Sequence, residues 1–200
     1  MLVYNYPTGL WEHSPSIIHL ASNFENWIRY QIDGTDRKVA IVAHSLGGII
    51  VRKAMANQLG RTKRLDSHVK HLTFVASPYT GVPIAKLGTY VPAIRKAQIS
   101  DLNPDSPMLT DINSNWRAWL DGNAAIRGNV RSIYGTADMV VSDASSTADD
   151  PQAVAILQAD HMSIVKPDTS DDDIVHTLSS FYKECGIGNV SSSGIVEVGS

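Results

Sequence analysis

Residues 39–51 read Val-Ala-Ile-Val-Ala-His-Ser-Leu-Gly-Gly-Ile-Ile-Val. The first five are small or β-branched, as in a strand buried on both faces. The last six are small and apolar, as in a buried helix. A serine, Ser45, stands where one must turn into the other. Such a turn is cramped, so the residues two before and two after the serine must be small. Here they are Ala43 and Gly47. The pattern usually opens with glycine, and Ala43 adds only one methyl. The helix N-terminus then points at Ser45 and favours negative charge there. The segment therefore commits the chain to a strand–turn–helix with a nucleophile elbow at its tip, and nominates the Leu46 backbone N–H as an oxyanion donor.

A serine needs a base, and the base needs a group to orient it. Residues 129–141 read as a strand, a glycine turn and an acid, Asp138, past the strand end. Residues 153–162 read as a strand ending at His161. The order Ser45, Asp138, His161 suits a serine hydrolase built on an open sheet, with all three just past strand ends, where reacting groups gather. Asp143 and Asp160 are rival acids. Asp160 adjoins His161, so its side chain is expected to point away from the ring, and Asp143 reads as loop. Among the other histidines, His44 is expected to pack beside the elbow rather than act as base.

Strand and helix patterns alternate, which argues a mostly parallel sheet. The expected elements are a strand at 2–6, a helix at 16–31, the elbow strand and a helix to about residue 59. Strands at 70–76, 129–134 and 153–158 follow, then a final helix from near Ser170. Ile17, Leu20, Ala21, Phe24, Trp27 and Ile28 recur at helical spacing and read as core. Residues 82–128 lack strand pattern and read as an insertion forming a lid or pocket wall, with helical pieces at 90–99 and 106–120. Tyr79, Leu87, Tyr90 and Trp116 are the expected lining of an acyl pocket, although plain helix packing also explains any one of them. Residues 186–200 are Gly- and Ser-rich and read as a flexible tail, apart from a candidate strand at 195–198. The hydrolase domain would be 1–185.

Two hundred residues suit one domain with a real core. A net charge of −3 and the absence of a large basic cluster argue against nucleic acid. No histidine–cysteine spacing suits zinc and no phosphate loop is present, so neither metal nor cofactor is expected. The lone Cys185 forms no internal disulfide. No signal segment or membrane-length apolar run is seen, which favours a cytoplasmic location.

From about Leu2 to Pro167 the chain resembles the α/β-hydrolase lipases grouped with the serine-active-site-containing proteins and the GPI-inositol deacylases. The resemblance rests on residues 4–8, the elbow at 43–48, and residues 76–85, 101–106 and 160–167. Members tend to show Thr-Pro-His-x-Gly where this chain has Ser77-Pro78-Tyr79-Thr80-Gly81. The resemblance implies a three-layer α/β-hydrolase fold, shortened at its N-terminus, and a serine esterase or lipase with Ser45, Asp138 and His161 as its triad. Its substrate would be a small acyl ester or lipid. Membrane-surface contact and a homo-oligomer stay open. Acyl transfer on the same triad and a non-catalytic binding module are the alternatives.

Such hydrolases normally carry an earlier strand whose His-Gly loop donates half of the oxyanion hole. It lies between the strand at 2–6 and the elbow strand, so its absence would leave a gap in mid-sheet. Three arrangements close the gap: the chain is a fragment of a longer protein, a strand from another chain or from 194–198 fills the slot, or the first strand pairs with the elbow strand. In the last case the loop 7–10 would approach Ser45 and offer a second oxyanion donor.

Overall fold

A computed structural model of the chain describes residues 2–6, 15–62, 64–83, 86, 100–147, 150–184, 186 and 195–199. The element order is β1 (Leu2–Asn5), α1 (Ile17–Ile32), β2 (Val39–His44), α2 (Leu46–Ala56) and β3 (Val69–Val75). Then come α3 (Pro107–Asp121), α4 (Ala124–Arg127), β4 (Val130–Gly135), α5 (Asp143–Thr147), β5 (Val154–Ile156), a 3-10 turn (Ser163–Val165), α6 (Asp173–Glu184) and β6 (Ile195–Gly199). The six strands form one sheet in the order β1-β6-β2-β3-β4-β5. Every pairing in it is parallel.

The strand period of two sorts side chains onto the two faces. Ile41, Ala43, Leu72 and Phe74 face one hydrophobic cluster, with Leu20, Phe24 and Ile28 of α1, Ile49 and Ile50 of α2, and Leu109, Ile112 and Trp116 of α3. Val42, Val75, Ile133 and Ile156 face the other, against Ile174 and Phe181 of α6. The result is three layers, helix–sheet–helix. In β2 all six residues are buried, as its apolar run demands.

Element boundaries follow local chemistry. Ser16 caps α1 by accepting from the His19 N–H, and Asp33-Gly34 ends it, with Gly34 at φ 72°. The acidic run at 171–173 does not all enter the last helix: α6 begins at Asp173. Asp172 instead holds the preceding turn, accepting from the Asp168 N–H and the Thr169 hydroxyl.

The slot beside the elbow strand is filled by the chain's own C-terminal segment. β6 pairs with β2 on one side, Ala40 to Ala43 against Ile195 to Val198, and with β1 on the other. β1 does not pair with β2, which removes the arrangement that would have brought the first loop to Ser45 by that route. The residues 7–10 themselves lie outside the described residues. The tail 186–200 is thus not loose throughout.

The insertion at 82–128 is not a separate lid over its described part. α3 packs on α2 and supplies Trp116 and Trp119, both 0% exposed, to the main core. The helical piece expected at 90–99 lies outside the described residues. Among the described residues no helix is long and apolar enough to cross a membrane.

Candidate active site

Ser45 sits between the end of β2 and the start of α2 at φ 53°, ψ −126°. A non-glycine residue holds that conformation only when its surroundings over-determine it, at a cost of about 1–3 kcal/mol. Here the surroundings are explicit. The Ser45 N–H donates to the Val75 carbonyl at 2.9 Å, and the Gly48 N–H donates to the Ser45 carbonyl at 3.0 Å. Gly48 also has to be glycine: a Cβ there would lie 2.0 Å from Ser77 Oγ. The first turn of α2 therefore presses directly on the end of β3. Leu46 opens α2, and its backbone N–H meets no acceptor among the described residues.

His161 lies between β5 and the 3-10 turn. Its Nε2 is 2.9 Å from Ser45 Oγ and its Nδ1 is 2.8 Å from Asp138 Oδ2. The side chains of His161 and Asp138 are 5% and 2% exposed. Asp138 lies past the end of β4, and its other oxygen, Oδ1, accepts from the Val140 and Val141 N–H groups at 2.8 and 2.9 Å. Burial pushes the Asp138 carboxyl up, but the bonds from His161, Val141 and Val140 outweigh it and hold the pKa below the ordinary aspartate value. The acid is thus an anion that accepts on both oxygens. It fixes the Nδ1–H tautomer of His161 and leaves Nε2 bare to accept from Ser45 Oγ–H.

Three bonds splice the loop of Asp138 to the loop of His161. The Thr136 N–H donates to the Ile156 carbonyl, the Ala137 N–H to the Ala159 carbonyl and the Gln158 N–H to Thr136 Oγ1, at 3.0, 3.1 and 2.9 Å. Gly135 makes this possible, since a Cβ there would lie 2.2 Å from the Ala159 carbonyl oxygen. In the sequence this glycine reads only as a turn residue.

The rival acids are elsewhere. Asp160 is exposed, and its Oδ1 accepts from the Met162 and Ser163 N–H groups, which ties it to the chain entering the 3-10 turn. Asp143 is exposed at the start of α5. His44 packs beside the elbow as expected, and in addition its Nε2 lies 2.8 Å from the His161 carbonyl oxygen. No residue-type signal in the sequence marks that bond.

The expected pocket lining fares differently. Tyr79 and Trp116 are 1% and 0% exposed. The Arg52 guanidinium lies over the Tyr79 ring at 3.1 Å and 5.0 Å from the Trp116 ring. Phe74 meets both rings edge-on. These two aromatics build the core under α2 and α3 and offer no surface to a substrate. Leu87 and Tyr90 lie outside the described residues. Among the described residues no group of histidine, cysteine, aspartate and glutamate side chains could hold a metal ion.

The comparisons with known proteins bear on the fold and on the segment that carries the elbow. Residues 16–97, which contain the elbow, match the family model described as "Putative serine esterase (DUF676)". Curated proteins give no match. Among solved structures the chain is similar to phospholipase PlaB from Legionella pneumophila, at 22% identity and a TM-score of 0.51, over 66% of this chain and 32% of that one. It is also similar to the mature lipase BlEst2 from Bacillus licheniformis, at 14% identity and a TM-score of 0.51, over 78% of this chain and 71% of that one. The chain thus spans about a third of the length of the phospholipase it matches. The structural neighbours show the fold, that of the α/β-hydrolase lipases, and the match to the putative serine esterase family covers the elbow and less than half of the chain.

Proposed function

We propose that the chain hydrolyses lipid esters through a covalent acyl-Ser45 intermediate, with Ser45, His161 and Asp138 as its triad. The observation that carries this reading is the His161 ring, which spans Asp138 Oδ2 at 2.8 Å and Ser45 Oγ at 2.9 Å. Both distances fall in the range that general-base transfer requires. His161 Nε2 takes the Oγ proton as Oγ attacks the ester carbonyl carbon. The Leu46 N–H donates to the oxyanion of the tetrahedral intermediate. Its collapse breaks the ester C–O bond, and the proton on Nε2 passes to the leaving alkoxide. Water then gives a proton to Nε2 and attacks the acyl carbon; the C–Oγ bond breaks, the proton on Nε2 passes to Oγ, and the acid leaves with Ser45 and His161 restored. Asp138 stays ionised throughout and stabilises the imidazolium. The lipid preference rests on the phospholipase and lipase among the structural neighbours.

The test is hydrolysis of short- and medium-chain p-nitrophenyl esters by wild type and Ser45→Ala, with fluorophosphonate labelling in parallel. Turnover and labelling present in wild type and absent in the variant are the expected result. A folded wild-type chain that neither turns over nor labels would overturn the proposal.

A further inference from the structure

His44 precedes the nucleophile on β2, and its side chain reaches the loop that carries His161. Its Nε2 lies 2.8 Å from the His161 main-chain carbonyl oxygen. A carbonyl oxygen only accepts, so Nε2 carries the hydrogen and Nδ1 is the bare nitrogen. The two imidazoles are 4.9 Å apart between centroids and tilted at 41°. His44 is 8% exposed, so water competes little for the bond. Burial, followed by repulsion from His161, lowers its pKa to about 4. The ring is therefore neutral at working pH and places no second positive charge beside His161 when that ring takes the serine proton.

The base is in need of such a hold. It follows β5, a three-residue strand at the sheet edge with β4 as its neighbour. The chain between β5 and the 3-10 turn is tied to the acid loop through the Ala159 carbonyl, two residues before His161. His44 supplies a tie at His161 itself. Consecutive residues of the elbow thus grip one residue at two points: Ser45 Oγ on the ring Nε2, and the His44 imidazole on the main-chain carbonyl.

We propose that His44 is a positioning residue: its Nε2–H holds the main chain of His161 so that the ring spans Ser45 and Asp138 together. The proposal rests on the triad reading above. Loss of the bond lets the base loop drift from the elbow, while the groups that contact the substrate are unchanged. The loss falls on kcat, and KM is left nearly as it was.

The experiment replaces His44 with Phe, which keeps a ring and removes the donor, and with Gln and Met, which are similar in size and differ in having or lacking an N–H near the Nε2 position. Steady-state hydrolysis of p-nitrophenyl butyrate, circular dichroism and thermal melting are measured for each. Expected for His44→Phe is a fall in kcat of about 10- to 100-fold with KM changed less than about twofold. Expected for His44→Gln is kcat at least about fivefold above His44→Met, at equal melting temperature. If His44→Phe does not fold, the Gln–Met pair decides alone. Equal kcat in Gln and Met, or wild-type kcat in His44→Phe, overturns the positioning role while wild-type turnover leaves the triad standing. A wild type without turnover or fluorophosphonate labelling instead overturns the triad reading on which this role depends.

Discussion

Gly135→Ala should injure catalysis more than stability, and the reason is the loop it touches. A Cβ on Gly135 would lie 2.2 Å from the Ala159 carbonyl oxygen, 2.9 Å from its carbonyl carbon and 3.3 Å from its Cβ. Two of these three atoms are backbone, so no side-chain rotation relieves the clash. The strand end and the base loop must part by roughly 1 Å to restore an ordinary contact. That shift lands two residues before His161 and strains the bond from the Ala137 N–H to the Ala159 carbonyl, now 3.1 Å. Ala137 in turn precedes Asp138, so acid and base move against each other. Overpacking of this kind costs about 1–3 kcal/mol, and in a domain of this size each kcal/mol lowers Tm by roughly 2–4 °C. A 1 Å misplacement of a reacting group costs on the order of 100-fold in rate. The assay is kcat on p-nitrophenyl butyrate well below the variant's Tm, with Gly128→Ala as control. Gly128 has φ −67° and nothing within 4 Å of a Cβ built on it, so that change should leave both quantities near wild type. If Gly135→Ala loses Tm as expected but keeps kcat within about threefold of wild type, the base loop is not positioned through this contact.

Asp138→Asn should lower kcat by about 10,000-fold by favouring the wrong His161 tautomer. Asp143→Asn should have no such effect, and steady-state kinetics on both variants separates them. Ser45→Gly should be inactive yet melt above Ser45→Ala, because glycine adopts φ 53° without strain; paired thermal melts read this directly. Stability should fall as pH drops from about 6.5 to about 4. Burial, then repulsion from His161, lowers the folded-state pKa of His44 to about 4, and burial, then Arg131, does the same for His71. The unfolded chain therefore binds protons in that window that the folded chain refuses. Asp138 works at the acid end: its folded pKa is depressed, so its contribution is present above the ordinary aspartate value of about 4 and is lost as pH falls through the folded value. Denaturant melts at pH 7 and pH 5 should show the fall, and His44→Phe should reduce it.

What could be read from the sequence was local and periodic. The elbow announced itself because a buried strand, a serine between small residues and a small-residue helix occupy one continuous stretch, residues 39–51. The element order followed from the change between period two and period 3.6. Asp138 and His161 could be singled out because each follows a strand end, and the structure brings both side chains to Ser45. What failed was placement that depends on distant partners. Trp116 looked like pocket lining, but with Leu109, Ile112 and Leu120 it forms the buried stripe of α3, a spacing that already pointed to core. Tyr79 is held under Arg52, a contact between a loop after β3 and the middle of α2 that no sequence window contains. His44 and Gly135 act through backbone oxygens of the base loop, and a backbone acceptor has no residue-type signature.

The strained serine explains why the sheet cannot leave its central slot open. Ser45 keeps φ 53° only while β2 is fixed, and β2 is buried on both faces. With β3 along one edge alone, the N–H and C=O groups of Ala40 to Ala43 on the other edge would be buried without partners. Each such group costs about 1–3 kcal/mol. β6 satisfies that edge through its register with Ala40, Ile41, Val42 and Ala43, and it carries β1 on its far side. β3 meanwhile receives the Ser45 N–H at Val75, and β4 holds β3 in place by pairing Val130 to Ile133 with Leu72 to Val75. Ser45 is thus clamped from both sides of the sheet, on one side by β6 and on the other by β3 with β4 behind it. Strain at the tip of β2 is tolerable because pairing on both edges leaves the strand no direction in which to relax.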